Sequence, residues 1–206
     1  MSDLKLEEIN SIHFDVLKEI ANIGAGNATT ALSKLLDAKV DMHVPNIEFM
    51  EFRDLAEAIG GAENVVVGIL LTLDTGIDGM MMFILESDSA EKIVNSLMGR
   101  TSGSLNEFSE MDFSALQEIG NIIAGSYLSA ISTFTNMTIT ASVPYLSIDM
   151  AGAILSVPAI EFGKISDKAL MIESEFGDKD TIINGYFILI PTLEAFELIF
   201  SSLGLM

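Results

Sequence analysis

The sequence predicts a fold of the α/β (α+β) class, built from two repeats that share a central, mainly antiparallel sheet. The stretch "LKEIANIGAGNATTALSKL" from Leu17 matches "LQEIGNIIAGSYLSAISTF" from Leu116 at nine of nineteen positions, with a constant offset of 99 residues. Each copy carries apolar residues at three- and four-residue steps and no proline, which indicates a long helix. Apolar runs of strand length follow each copy and are separated by turn residues. We therefore expect pseudo-twofold symmetry.

The two long helices are predicted over about residues 6–36 and 109–134. The second begins with the capping-box pattern "SEMD" from Ser109. Both copies contain a glycine, Gly26 or Gly125, although glycine costs a helix about 1 kcal/mol relative to alanine. We expect a close approach of the two helices at these glycines to compensate for the cost.

Alternating apolar and polar residues predict a half-buried strand after each long helix, in "KVDMHVP" and "MTITASVP". The residues predicted to face the core are Val40, Met42 and Val44 in the first copy and Ile139, Ala141 and Val143 in the second. Longer apolar runs are predicted to form hairpins of the central sheet, and they span residues 65–73, 80–85, 170–176 and 182–190. Each repeat closes with a short helix that ends at Gly99 or Gly204.

The chain is predicted to be a single domain over residues 1–206, with repeats at about 6–104 and 105–206. Half of its residues are hydrophobic, which is enough for a sizeable core. Each long helix is too apolar to be stable without a partner surface, so neither repeat need fold alone. The stretch "GRTSGSLNE" from Gly99 joins the repeats.

Composition excludes several functional classes. Thirty acidic and ten basic residues give a formal charge of −20, which disfavours nucleic acid and suits a cationic protein surface or a metal-bearing partner. Without cysteine there is no disulfide or thiolate nucleophile, and "MSDLKLEEIN" lacks the apolar segment of a signal peptide, so we expect a cytoplasmic location. The uncharged run from Ile119 to Ile148 is long enough for a membrane helix but too polar, so no membrane insertion is expected.

Polar residues of the first long helix form one stripe. Asp15, Glu19 and Asn22 lie at positions i, i+4 and i+7, on one face of the helix. The second helix has the same spacing at Ser114, Glu118 and Asn121. The repeat keeps the Glu and the Asn while many neighbours differ, which indicates a shared constraint.

Two interpretations of this stripe remain open on the residues alone. Glu is an ordinary solvated residue of helices, and Asn is often a buried amide that bonds a neighbouring helix. Alternatively, an exposed carboxamide can orient a water for attack on a phosphoryl group held by a partner, as a Gln does in GTPases. The Glu would then pair with a lysine of that partner.

Other candidate sites are weak. "GAGNAT" from Gly24 lacks the preceding strand, the third glycine and the lysine of nucleotide-binding loops. His13 and His43 have no ligand partners at metal spacing, so no metal bound by this chain is expected. His43 is predicted on the polar face of its strand.

The full pattern, Asp/Ser-x3-Glu-x2-Asn-x22-Pro, includes Pro45 in the first copy and Pro144 in the second. It resembles the signature of the CheC/CheX/FliY family of chemotaxis phosphatases, and the resemblance covers essentially the whole chain. It implies a CheC-like fold and hydrolysis of the aspartyl phosphate on the response regulator CheY when either long helix docks. CheX-like relatives carry one motif and dimerise, whereas this chain carries two and is expected to be a monomer.

The resemblance also implies roles for single residues. Asn22 and Asn121 would position the attacking water, and Glu19 and Glu118 would form salt bridges with the regulator's active-site lysine. The residues expected to support the motif through the local shape of a helix or turn are Asp15, Ser114, Pro45 and Pro144. No cofactor is expected on this chain, and Mg²⁺ is expected in the active site of CheY.

A second partner implied by the resemblance is the receptor deamidase CheD. The candidate contact for it is Asp149 in "LSIDMAG", a lone charge at the end of an uncharged run. The alternative function is a non-catalytic acidic adaptor that binds phosphorylated CheY, CheD or flagellar switch proteins.

Overall fold

The structure is a computed structural model that describes residues 10–100, 108–162, 168–177 and 182–205. The predicted start of the first helix at residues 6–9 and most of the predicted connection between the repeats lie outside these ranges. The first half contains α1 (Ser11–Leu35), β1 (Asp41–His43), β2 (Ile47–Glu51), α2 (Phe52–Ala58), β3 (Val65–Thr75), β4 (Gly79–Glu86) and α3 (Ser87–Leu97). The second half contains α4 (Glu110–Thr135), β5 (Thr140–Ala141), β6 (Tyr145–Met150), α5 (Ala151–Phe162), β7 (Lys168–Gly177), β8 (Ile182–Pro191) and α6 (Leu193–Ser202). The element order is thus the same in both halves.

All strands of the described residues belong to one antiparallel sheet, which confirms the predicted fold class. Its order is β1-β7-β8-β4-β3-β5, with β2 also paired to β7 and β6 to β3. The central pair, β4 and β8, joins one strand from each half. The first two strands of each half pair with the hairpin of the other half. The two halves therefore exchange their outer strands.

Helices cover both faces of this sheet. On one face of the sheet, residues such as Met81 and Phe83 of β4 belong to the larger core, which also contains residues of α1, α3, α4 and α6. The alternate residues of the same strand, such as Met82 and Ile84, belong to a smaller core with α2 and α5. Because both faces of β4 are buried, this strand is apolar from Gly79 to Leu85, which explains the run "GMMMFILE".

The long helices α1 and α4 pack against each other, but the close approach expected at Gly26 and Gly125 is wrong. Gly24 instead lies in the contact, since a Cβ on Gly24 would lie 2.7 Å from Cδ1 and 3.1 Å from Cα of Tyr127. Gly26 and Gly125 are exposed, and no atom outside the local helix lies within 4 Å of the position that their Cβ would take. The internal packing does not explain these two glycines.

Both long helices begin with a capping box. The predicted one at α4 is confirmed, because the Ser109 backbone N–H donates to Asp112 Oδ2 at 2.9 Å and the Asp112 N–H donates to Ser109 Oγ. Asp112 is buried, and its Oδ1 lies 2.9 Å from Nη2 of Arg100, the last described residue of the first half. In α1 the equivalent pair is Asn10 and His13, whose Nδ1 accepts from the Asn10 N–H. Polar contacts therefore anchor the start of each helix.

The strands after the long helices are shorter than predicted, and further elements follow them. Each ends before its proline, and β2 or β6 then begins beyond the bend, followed by α2 or α5, none of which was predicted. The predicted core residues are buried or half-buried with one exception. Val143 is 76% exposed, because β5 ends at Ala141 and the alternation does not continue through the bend.

The short helices α3 and α6 end as predicted, each with a following glycine at positive φ, 63° at Gly99 and 70° at Gly204. The uncharged run from Ile119 to Ile148 is divided among α4, β5 and β6. Across the described residues, every helix falls short of the length or apolarity required to cross a membrane.

Candidate functional site

The second motif forms a cleft between α4 and the segment that leads into β6. Ser114, Glu118 and Asn121 are exposed along one face of α4, and Pro144 is half-buried opposite them. These four motif residues line one open cleft together with Gln117 and Val143. The structure therefore brings together, in one cleft, all the residues predicted for the second site.

Gln117 connects the two walls of this cleft. Its Nε2 donates to the carbonyl oxygen of Pro144 at 3.2 Å, and its side chain is half-buried. Sequence reasoning missed this residue, although it precedes Asn121 by four positions and thus lies on the same side of the helix. The bond places the proline segment beside the polar stripe of α4.

Asn121 also lines a second groove, which continues along α4 beyond the cleft. The helix side of this groove includes Gly125, Ser129 and Ser132, and residues 139–142 form its other wall. All side chains that line it are uncharged. Asn121 thus lies where the two depressions meet.

The first motif is presented differently. Asp15, Glu19 and Asn22 are exposed on α1, and Pro45 is exposed two residues after β1. The strand segment is held to this helix farther along, where the Val40 N–H donates to Ser33 Oγ at 3.0 Å. The helix position equivalent to Gln117 is occupied by Lys18, which is exposed.

The residues before the two motif prolines also differ in burial. Val44 is 7% exposed, whereas Val143 is 76% exposed beside the second cleft. A partner that docks on α4 thus meets an apolar side chain that a partner on α1 does not. The two copies of the motif share their polar residues but differ in the surface around them.

The chemistry available at each stripe is limited to orientation and charge. The Ser114 hydroxyl donates to the Glu110 carbonyl oxygen at 3.0 Å, within its own helix. Asn22 and Asn121 present exposed carboxamides, which can both donate to and accept from a water. Glu19 and Glu118 present exposed carboxylates one turn away, which can pair with a cation. Among the residues that the structure describes, no three His, Asp or Glu side chains are grouped as metal ligands.

Asp149 lies on the other side of the molecule from the motif on α4. It pairs with Val66 across β3 and β6, and Val66 belongs to the core that contains α2 and α5. Directly paired residues of antiparallel strands point to the same face, so Asp149 is exposed on the α5 side of the sheet. Large exposed apolar side chains occur on β6 and α5, namely Tyr145, Met150, Val157 and Ile160. Asp149, Tyr145 and Val157 line one groove there.

The fold is shared with a FliY protein of known structure. A crystal structure of Thermotoga maritima FliY superimposes with a TM-score of 0.76 at 20% sequence identity, over 96% of this chain and 98% of that one. This similarity defines the architectural class: a strand-exchanged antiparallel sheet covered by six helices in the described residues.

The sequence relatives define the family. A family model described as the CheC-like family matches residues 12–48 and 111–148, the two segments that contain the motifs. Bacillus subtilis CheY-P phosphatase CheC is 34% identical over 95% of this chain and 96% of its own length. A putative CheY-P phosphatase, CheC1 of Halobacterium salinarum, is 24% identical over 91% of this chain and 94% of its own. The chain belongs to the CheC-like family.

Proposed function

We propose that this protein is a phosphatase that hydrolyses the aspartyl phosphate of the response regulator CheY. The observation that carries the proposal is the pair of exposed Glu–Asn stripes, one on α1 and one on α4. Both stripes lie in segments that match the CheC-like family, and two relatives that match over 96% and 94% of their own lengths are named as a CheY-P phosphatase and a putative CheY-P phosphatase. Side chains that orient water and pair with a cation suit a reaction in which the partner supplies the phosphate.

In the proposed mechanism each Asn holds the attacking water in line with the phosphorus atom. The water oxygen bonds to phosphorus as the bond to the aspartyl oxygen breaks, which releases inorganic phosphate and restores the carboxylate of CheY. Glu19 or Glu118 fixes the docking geometry by pairing with a lysine of the regulator. Mg²⁺ in the active site of CheY would neutralise phosphate charge, so this chain needs no metal of its own.

The test is the decay of phosphorylated CheY with Mg²⁺ in the presence of the wild type, Asn22→Ala, Asn121→Ala and the double variant. Loss of one preorganised donor costs about 3 kcal/mol at its own site, or roughly a hundredfold in rate. Each single variant should therefore keep the activity of its intact site, and the double variant should approach the spontaneous rate of decay. Asn27→Ala is the matched control, because Asn27 is exposed on α1 but lies about 140° around the helix from Asn22.

Two outcomes would refute the catalytic proposal. A double variant as active as the wild type would show that the carboxamides do not take part. A wild type that binds phosphorylated CheY without changing its decay would identify the protein as the non-catalytic acidic adaptor.

We also propose that the exposed apolar surface around Asp149 binds the receptor deamidase CheD. A groove that contains one acidic residue and large exposed apolar side chains suits a protein partner with a complementary basic group. This surface lies on the opposite side of the sheet from the core that contains α1 and α4, so CheD and CheY would bind without competing.

The measurement for this second partner is the affinity for CheD of Asp149→Arg. Its matched control is Glu57→Arg, which makes the same charge change at an exposed position of α2, the counterpart of α5. Asp149→Arg should weaken CheD binding at least tenfold and leave CheY dephosphorylation without CheD unchanged. Equal affinities for the two variants would place the CheD surface elsewhere.

A further inference from the structure

Gly26 and Gly125 lie inside long helices, where their presence has no internal explanation. Both are exposed, and the space that a Cβ would occupy is empty. Two other glycines of the same helices have clear reasons, because a Cβ on Gly24 would collide with Tyr127 and one on Gly120 with Ile69. Glycine is the least favourable residue in a helix interior apart from proline. A reason for Gly26 and Gly125 must therefore be sought outside the chain.

Their position connects them with the candidate sites. Each glycine follows the Asn of its motif by four residues, one turn along the same face and about 6 Å along the axis. In the second copy, Gly125 lines the groove that begins at Asn121, with residues 139–142 as the opposite wall. The missing side chain thus widens a depression that opens directly from the proposed catalytic residue.

We propose that the main chain of docked CheY passes over Gly26 or Gly125, so that each regulator-binding surface extends one helical turn beyond the Asn. The inference rests on the proposed function and names a steric requirement of the same site. Asn has a short side chain, so a water that it holds lies close to the helix surface. The phosphate and the loop that carries it must then come equally close. A CheY loop that lies so close to the helix also contacts the next turn of that helix. Any Cβ at this position would hold the loop farther from the helix surface.

The uncharged lining of the groove supports a main-chain contact. Ser129 and Ser132 offer hydroxyl groups that can bond to peptide groups, and no side chain lining the groove is charged. Among the residues that line the neighbouring cleft, Glu118 is the acidic one and can pair with a lysine. The charged and the neutral parts of the surface are thus separated along the helix.

The experiment uses the full chain with Gly26→Leu and Gly125→Leu combined, together with the corresponding pair of alanine changes. The matched control combines Asn27→Leu with Thr133→Leu, which adds the same side chain at exposed positions of the same two helices. Affinity for CheY activated with beryllium fluoride, a phosphate mimic, is measured by fluorescence anisotropy, and the melting temperature is measured in parallel.

We expect the leucine pair to weaken binding at least tenfold and the alanine pair less, with melting temperatures no lower than that of the wild type. The control should bind like the wild type. Unchanged affinity of the leucine pair would overturn the inference, whether or not the wild type is a phosphatase. If the wild type accelerates CheY dephosphorylation and the leucine pair does so with the same KM, the proposed function stands and the steric requirement fails.

Discussion

Replacing Gly24 with alanine tests how tightly the two long helices pack. The added methyl group would lie 2.7 Å from Cδ1 of Tyr127, roughly 1 Å inside the normal carbon contact distance. It would also lie 3.1 Å from the Tyr127 Cα, and a backbone atom cannot rotate away. Tyr127 is itself buried and stacked on Phe187 at a centroid distance of 4.3 Å, so the ring has little room to move. The helices must therefore separate or the tyrosine must leave its rotamer.

The magnitude follows from two opposing effects. Overpacking of this kind costs about 1–3 kcal/mol, whereas alanine gains about 1 kcal/mol over glycine in helix propensity. The net effect of Gly24→Ala is a loss of up to about 2 kcal/mol. For a chain of this length, the upper limit of that loss corresponds to a melting temperature lower by about 4–8 °C. Gly26→Ala, two residues away on the open side, should gain about 1 kcal/mol and melt about 2–4 °C higher.

The assay is thermal unfolding of both variants beside the wild type, followed by circular dichroism. Gly26→Ala is the matched control, since the chemical change and the helix are the same and only the surroundings differ. If Gly24→Ala melted at or above the temperature of Gly26→Ala, the two helices would not be in the close contact described here.

Two further predictions concern polar contacts at α4. Gln117→Ala, made in the Asn22→Ala background, should raise the KM for phosphorylated CheY about fivefold, since it removes one hydrogen bond to Pro144 worth about 1 kcal/mol. An unchanged KM would show that CheY binding does not depend on the hydrogen bond between Gln117 and Pro144. Burial alone would raise the pKa of Asp112, but bonds from the Ser109 backbone N–H and Arg100 more than offset this and hold the pKa below its usual 3.8. This stabilisation is complete above pH 3.8 and is lost as the pH falls through the lower folded value, so urea unfolding of Asp112→Asn should vary less with pH in that range. Parallel pH profiles for the variant and the wild type would contradict it.

The parts of the fold that the sequence predicts well are those with long-range periodicity or clear end signals. The two long helices have apolar residues at helical spacing over more than six turns. Both ends of α4 and the end of α1 lie within two residues of the predicted ones, but α1 begins at Ser11, after the extended N-cap Asn10, and not at about residue 6. The strands β3, β4, β7 and β8 are apolar runs bounded by turns, and each was placed to within two residues at either end. Here local composition and tertiary packing favour the same structure.

The elements between these parts carry no comparable signal. The helix α5 is apolar on most sides and contains Pro158, which normally argues against a helix interior. Its counterpart α2 is only seven residues long. The exchange of outer strands was also not predicted, because alternation shows which face of a strand is buried but does not identify its partner. Pairing of β1 with β7 depends on contacts across more than a hundred residues.

The candidate site also has a part that the sequence predicts and a part that it does not. Helical geometry alone places Glu118 and Asn121 on one stripe, so their proximity follows from spacing. The contribution of Gln117 depends on a contact with Pro144, 27 residues later and beyond a strand, and no local pattern predicts it. The close helix contact expected at Gly26 and Gly125 was wrong, because a glycine in a sequence does not show whether its neighbour is another helix of the same chain or a separate molecule.

Strand exchange also means that each candidate site depends on both halves. The segment that ends at Pro45 begins with β1, which is held by β7 of the second half. The segment that ends at Pro144 contains β5, which is held by β3 of the first half. Each site is therefore a helix of one half beside a segment whose position the other half maintains. Removing either half would disturb both sites, whereas an Asn→Ala change removes one carboxamide and leaves both frameworks in place.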